Sequence, residues 1–244
     1  MYIVLSCQDK AIEYEKCMFF FVFITASLSE QEEMHLPLKI ALTGGIACGK
    51  TVISDFFKEL KIPVIDTDVI ARQVVDRGSA TLLELVRTFG DEILCTDGTL
   101  DRRVLRIKVF DKPEELEKLN SIMHPAIHRE MNRQLALVDK TVPYAIIVVP
   151  LLFELHWEVL FDRVIVADAN TNTQLNRLIL RDNIDEQTAK KMIGSQVSRE
   201  VRRALGHDLI ETDRLTMQEI QHVVIKLHQR YVNEFENRNS FSHV

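Results

Sequence analysis

Gly44-Gly45-Ile46-Ala47-Cys48-Gly49-Lys50-Thr51 has the spacing G-x-x-x-x-G-K-[ST], and each residue type in it suits phosphate chemistry. Glycines let backbone N–H groups converge on phosphate oxygens without a Cβ in the way. A helix starting there adds the positive end of its dipole. Lys50 is placed to reach β- and γ-phosphates, and the Thr51 hydroxyl to ligate Mg²⁺. The competing reading is a glycine-rich turn followed by an accidental Lys-Thr. The flanks argue against it, because Leu38–Thr43 reads as a short strand and Val52, Ile53, Phe56, Phe57 and Leu60 recur at helical spacing.

A second group lies in Asp66-Thr67-Asp68-Val69-Ile70-Ala71-Arg72, after the apolar Pro63-Val64-Ile65. The carboxyl ends of strands in an open parallel sheet form the edge where ligands bind. A carboxylate there can accept a proton from an attacking hydroxyl or hold Mg²⁺ through water, and Arg72, four residues past Asp68, can bind an anionic acceptor. The plainer alternative is an Asp that caps a helix beside a solvated Arg. A third group is arginine-rich. Gln174, Arg177 and Arg181 fall at i, i+3 and i+7, and Arg199, Arg202 and Arg203 follow; guanidinium forks of this kind can neutralise a migrating phosphoryl group. The alternative is a solvated helix balanced by Asp182, Asp185 and Glu186. His124 has no second ligand at metal-binding spacing and reads as a turn or core histidine. No G-x-S-x-G elbow is present, and Trp157 reads as core.

The elements that must position these groups follow from periodicity. Strand, glycine turn, helix and second strand make a βαβ unit by residue 66, which requires a parallel sheet covered by helices. From 67 to 139 the pattern is helical, with Leu116, Leu119, Ile122, Met123, Ile127, Met131 and Leu135 at steps of three and four and Pro125 predicting a break. Strand-like runs return at 144–149 and 163–168. Leu209-Ile210 suits a last strand, and an amphipathic helix is expected over 216–233. The expected organisation is an α/β core from 34–66, 140–170 and 196–244, interrupted by a helical insert at 67–139 and a segment at 171–195.

The composition sets outer limits. The chain has 244 residues, 46% of them apolar, with a formal charge of −6. That excludes wholesale disorder and offers no global basic field for nucleic acid or anionic membrane. Cys7, Cys17, Cys48 and Cys95 form no C-x-x-C pair, as expected of a reduced cytoplasmic chain. The apolar run at 18–28 falls short of the ~20 residues a membrane-spanning helix needs. Its preceding residues mix Asp9, Glu13 and Glu15 with Lys10 and Lys16, unlike a secretory signal. The simplest expectation is that Met34 is the start and 1–33 an extension.

A phosphate loop alone admits kinases, GTPases and motor ATPases. Neither D-x-x-G nor N-K-x-D occurs, which argues against a GTP switch. The sequence resembles the dephospho-CoA kinase family over about 38–232. The resemblance is carried by Ala41 to Ile46 and Gly49-Lys50-Thr51, by 64–72 (VIDTDVIAR), Phe89-Gly90, 97–106 (DGTLDRRVLR), 119–125 (LNSIMHP), 150–154 (PLLFE), and Gln174 with Arg177 before Arg181-Asp182. It implies a P-loop kinase-type parallel sheet flanked by helices, a helical substrate-binding insert and a helical lid. The implied reaction moves the ATP γ-phosphoryl group to the ribose 3′-hydroxyl of dephospho-CoA, with Mg²⁺, in the last step of CoA synthesis.

The resemblance also assigns roles. Asp68 would orient or deprotonate the hydroxyl, Lys50 and the loop from Gly44 to Thr51 would hold the nucleotide, and Arg177 and Arg181 would bind it from a lid that closes over ATP, with Lys50, Asp68 and Arg177 as the catalytic residues. Asp66, Arg72, Arg102, Arg106 and His124 would face the acceptor. Three positions depart from the family pattern. Ala47-Cys48 replaces Gly-Ser, which would strain a loop position needing φ > 0 and place an oxidisable thiol beside the triphosphate. Residues 206–212 (GHDLIET) differ on the adenine side, and Val149 stands where some relatives have an acid. The alternatives are another P-loop kinase acting on a nucleoside or small acid, and an ATP-binding regulator without transfer.

Overall fold

The computed structural model describes residues 37–240; the run at 18–28 and the question of the Met34 start lie outside them. Five strands form one all-parallel sheet in the order β2-β3-β1-β4-β5. They are β1 (Leu38–Gly44), β2 (Val64–Asp66), β3 (Tyr144–Val148), β4 (Arg163–Asp168) and β5 (Asp208–Glu211). β1, β3 and β4 are apolar almost throughout because both faces are covered. Ile40 and Leu42 face α1 (Lys50–Glu59), whose Ile53 and Phe57 share their cluster with Val224, Leu227 and Tyr231 of the terminal helix. Ala41, Ala145 and Ile147 point the other way, onto Ile70, Ile127 and Met131.

β1 lies between β3 and β4, and the chain crosses over it from one half of the sheet to the other. Its carboxyl end is therefore the topological switch point where ligands of open sheets bind. The glycine loop leaves the sheet there.

Residues 67–136 carry α2 (Thr67–Gln73), α3 (Ala80–Phe89), α4 (Arg102–Val109) and α5 (Pro113–Ala136). These enclose a core of their own around Val75, Leu85, Phe89, Ile93, Leu105 and Leu119. The expected break at Pro125 does not occur, for α5 runs through it. Pro125 is exposed while Ile122, Ala126 and Ile127 are buried. The carbonyl left without its N–H donor belongs to exposed Ser121, where water can satisfy it. Beyond β4 come α6 (Thr171–Asp182), α7 (Glu186–Gly194) and α8 (Arg199–Leu205), then after β5 the long α9 (Met217–Ser240). Asn183, at φ 50, caps α6 and turns the chain into α7. Among the described residues no helix is long and apolar enough to cross a membrane.

Candidate active site

At the head of the phosphate loop, Gly44 and Gly45 lie against neighbours that leave no room for a Cβ. A Cβ on Gly44 would lie 2.2 Å from the Ala167 carbonyl oxygen, so β1 and β4 can continue side by side only with glycine there. Gly49, at φ 84, opens α1 in the left-handed region. Ala47 also sits there, at φ 59, so the Gly-to-Ala departure falls on a position that does require positive φ. Ala47→Gly should raise stability by up to about 1 kcal/mol, whereas Ala47→Val should cost about 2 kcal/mol or more. Denaturant unfolding of both variants checks this, and superimposed curves would remove the strain.

Cys48 differs from its expected role. It is buried in the cluster of Leu42 and Ile53, and burial, ahead of the opposing charges of Lys50 and Arg202, pushes its thiol above the ordinary value. A buried thiol with little thiolate is inert, so redox sensitivity through Cys48 is not supported.

Lys50, the first residue of α1, turns its Nζ back onto the loop and donates to the carbonyls of Gly44 at 2.8 Å and Gly45 at 3.0 Å. Burial lowers its pKa from 10.5 to about 8; the charges of Cys48 and Asp68 oppose the shift, and those of Arg202 and Arg181 add to it. Without a ligand, the lysine therefore loses its proton as pH rises through about 8. If the ammonium binds phosphate, kcat/KM for ATP should fall about tenfold per pH unit above that point. In kcat the same limb should move to higher pH, because bound phosphate favours the charged form. Lys50→Arg should abolish the limb, and a flat wild-type profile to pH ~10 would exclude a protonated Lys50 from ATP capture. Thr51 follows on the exposed side of the first turn of α1.

The two rim aspartates do different things. Asp66 caps α2, its Oδ1 accepting from the backbone N–H groups of Asp68 at 2.8 Å and Val69 at 3.4 Å. The capping alternative thus describes Asp66, one of the residues expected to face the acceptor. Asp68 lies half-buried in the first turn of α2, where the helix dipole favours a carboxylate. It is close enough to Lys50 for its charge to raise the lysine's pKa. Asp68 and Lys50 therefore both stand in the first turn of a helix at the carboxyl-end edge of the sheet, after β2 and β1 respectively.

Arg177 and Arg181 part company. Arg177 Nη1 donates to Thr212 Oγ1 at 3.0 Å and, at 3.4 Å, to the Ala47 carbonyl, while Nη2 reaches the Thr212 carbonyl at 3.0 Å. Arg181 forms a fork with Asp182 at 2.7 and 2.9 Å and lies within electrostatic reach of Lys50. Thr212 itself is buried, its hydroxyl donating to the Cys48 carbonyl at 2.8 Å. The altered 206–212 segment thus ends as a brace under the loop. Arg199 grips the buried Asp168 in a two-point fork, and Arg203 joins them. Burial works against the Asp168 charge, but the two arginines outweigh it and hold the carboxyl below its usual range. These arginines are committed to the sheet edge and do not form an open basic patch.

On the insert, Arg72 is exposed on α2, and its charge is felt by Arg102 at the start of α4; desolvation first, then Arg72, lowers the Arg102 pKa, with Asp76 opposing. Arg106 is exposed one turn further along α4. His124 lies within α5, where burial lowers its pKa. It meets Trp157 edge to face at 5.5 Å. Val149 is buried and contributes packing only. Sequence reasoning missed Gln196, whose Oε1 accepts from the Ile46 N–H at 2.7 Å, and Glu154, whose Oε1 accepts from Val197 N–H at 2.9 Å. The only sequence signal was Glu154's place at the end of the Pro150–Glu154 run.

The family model described as dephospho-CoA kinase matches residues 38–218. Dephospho-CoA kinase of Vibrio vulnificus (strain CMCP6) is 43% identical over 198 residues, 81% of this chain and 96% of its own. That of Yersinia pestis is 43% identical over 193 residues, 79% and 92% of the two chains. Among solved structures, TT1252 from Thermus thermophilus has a TM-score of 0.71 at 26% identity, covering 79% of this chain and 96% of its own. Dephospho-CoA kinase from Campylobacter jejuni has a TM-score of 0.62 at 25% identity, covering 80% and 98%.

Proposed function

The chain belongs to the dephospho-CoA kinase family, and from that premise we propose how its residues divide the labour of phosphoryl transfer. The enzyme moves the γ-phosphoryl group of ATP to the ribose 3′-hydroxyl of dephospho-CoA, giving CoA and ADP. In our reading the loop amides from Gly44 to Thr51 and the Lys50 ammonium hold the β- and γ-phosphates. Lys50 exchanges its two carbonyl partners for phosphate oxygens when ATP arrives. Asp68 orients the 3′-hydroxyl and takes its proton as the ribose oxygen bonds to the γ-phosphorus and the bond to the β-phosphate oxygen breaks.

Residues 171–195 act as a lid over the nucleotide, with Arg177 anchoring its base to the phosphate loop and Arg181 supplying charge to the migrating group. The insert at 67–139 receives the CoA side, with Arg72, Arg102 and Arg106 on its anionic groups, His124 beside the pocket and Asp66 holding Asp68's helix in register. Mg²⁺ would be held by the Thr51 hydroxyl together with phosphate oxygens and water. Its chemistry there is neutralisation of phosphate charge. A hydroxyl donor suits this cation, which keeps its waters and rarely uses an all-protein cage, and Thr51 is exposed beside Lys50 in the first turn of α1. We place the enzyme in the cytoplasm, in line with cysteines that form no C-x-x-C pair.

The observation that carries this reading is the glycine loop at the carboxyl end of β1, with Lys50 turned onto its Gly44 and Gly45 carbonyls, while the helix carrying Asp68 starts at the carboxyl end of β2 in the same parallel sheet. An ADP-release assay across acceptors tests it. Dephospho-CoA should be turned over and nucleosides should not. Turnover of a nucleoside alone would favour another P-loop kinase, and ATP binding without any ADP release would favour a regulator.

A further inference from the structure

Ile46 leaves the sheet at the head of the loop, and both polar groups of its backbone are taken by glutamine side chains of opposite polarity. Gln196 Oε1 accepts from the Ile46 N–H at 2.7 Å, and Gln174 Nε2 donates to the Ile46 carbonyl at 2.7 Å. Gln174 belongs to α6, and Gln196 follows the end of α7. The two glutamines therefore bracket the α6–α7 pair, with one at each end. The Ile46 side chain completes the attachment, buried in a cluster with Leu178 of α6 and Ala189 of α7.

The Gln196 end is held in turn, since Val197 N–H donates to Glu154 Oε1 and the Val197 carbonyl accepts from the buried Arg202. Arg202 also lies against Gly45, where a Cβ would come within 2.8 Å of its Nη2. The backbone immediately before the strained Ala47 is thus fixed from both sides by the elements that bound the proposed lid.

We propose that Gln174 and Gln196 are positioning residues: by gripping the donor and the acceptor of one loop residue, they set the phosphate loop and tie its shape to the placement of the α6–α7 pair. The proposal rests on the reading that this loop holds the ATP phosphates. Neither glutamine touches a reacting atom. Their effect passes through Ile46 to the amides from Ala47 to Lys50.

Polarity supplies the test. A glutamate at 196 keeps the acceptor that Ile46 N–H requires, whereas a glutamate at 174 loses the donor that the Ile46 carbonyl requires unless it is protonated. Both changes add a negative charge beside the same residue, so the difference between them reports the hydrogen bonds. Gln174→Glu is expected to lower kcat/KM for ATP by roughly 10- to 100-fold near neutral pH, with KM for dephospho-CoA unmoved. The deficit relative to wild type should shrink as pH falls from about 8 to about 5.5 and the carboxyl gains a proton. Gln196→Glu is expected to stay within about fivefold of wild type without that pH dependence, and Gln196→Leu to lose roughly tenfold or more. Because Gln174 is fully buried, a variant there can fail to fold; the Gln196→Glu and Gln196→Leu pair then decides alone.

Equal losses in that pair, or Gln174→Glu and Gln196→Glu alike at every pH, would overturn the proposal, as would losses in Tm with kcat/KM for ATP unchanged. Lys50→Ala measured in parallel separates the two levels. If it keeps full turnover, the phosphate-loop reading itself fails; if it is inactive while the glutamine variants show no polarity effect, only the positioning role fails.

Discussion

Asp68→Asn is expected to lower turnover by at least ~10²-fold while leaving ATP affinity within about twofold. The substitution keeps the size of the side chain in the first turn of α2 and leaves the cap intact, because Asp66 accepts from the backbone of residue 68. What it removes is a negative oxygen able to take a proton from the acceptor hydroxyl. Its second effect is on Lys50, whose pKa Asp68 supports, so the alkaline limb of kcat/KM for ATP should move slightly lower in the variant. Steady-state rates with equilibrium nucleotide binding check both effects. Near-normal turnover would remove Asp68 as proton acceptor even with the family unchanged.

Lys50→Ala should damage both parameters, lowering kcat/KM for ATP by ~10²–10³-fold. The ammonium serves the ground-state phosphates and the charge that develops on them, so neither KM nor kcat escapes. Stability should move the other way. Lys50 has a folded pKa of about 8 against 10.5 for the ordinary side chain, so between those values the folded state binds fewer protons than the unfolded one, and wild-type stability rises with pH across that window. Removing the group should therefore stabilise the fold most below about pH 8, with the gain fading towards 10.5. Thermal unfolding across that range, beside ATP kinetics, checks the pair; a variant both unstable and inactive would assign Lys50 a structural role.

Periodicity and one motif made much of this architecture readable. The step from a short apolar strand to helical spacing around Gly44–Thr51 placed the loop at a strand's carboxyl end, and the helical repeats of 67–139 marked an excursion from the sheet. Strand order was not readable, because β1, β3 and β4 are uniformly apolar and such strands carry no register signal of their own. Asp66 and Asp68 looked equivalent as residue types; that Asp66 is the one that caps α2 depends on the backbone turn there. Burial of Cys48 was hidden for a similar reason, since the loop's positive-φ turns at Ala47 and Gly49 direct side chains in ways that spacing does not encode. Gln196 sits in a polar stretch with no periodicity and becomes visible only where the chain folds 150 residues back onto Ile46. Pro125 was misread because a helix tolerates proline on a face where water can replace the missing donor.

The most direct test of the account is a quenched single turnover with γ-labelled ATP and dephospho-CoA, followed by fragmentation of the product. The account predicts label on the ribose 3′-oxygen from wild type, and ATP bound but untransferred over the same interval in Asp68→Asn. Label on any other oxygen, or transfer by Asp68→Asn at the wild-type rate, would contradict it.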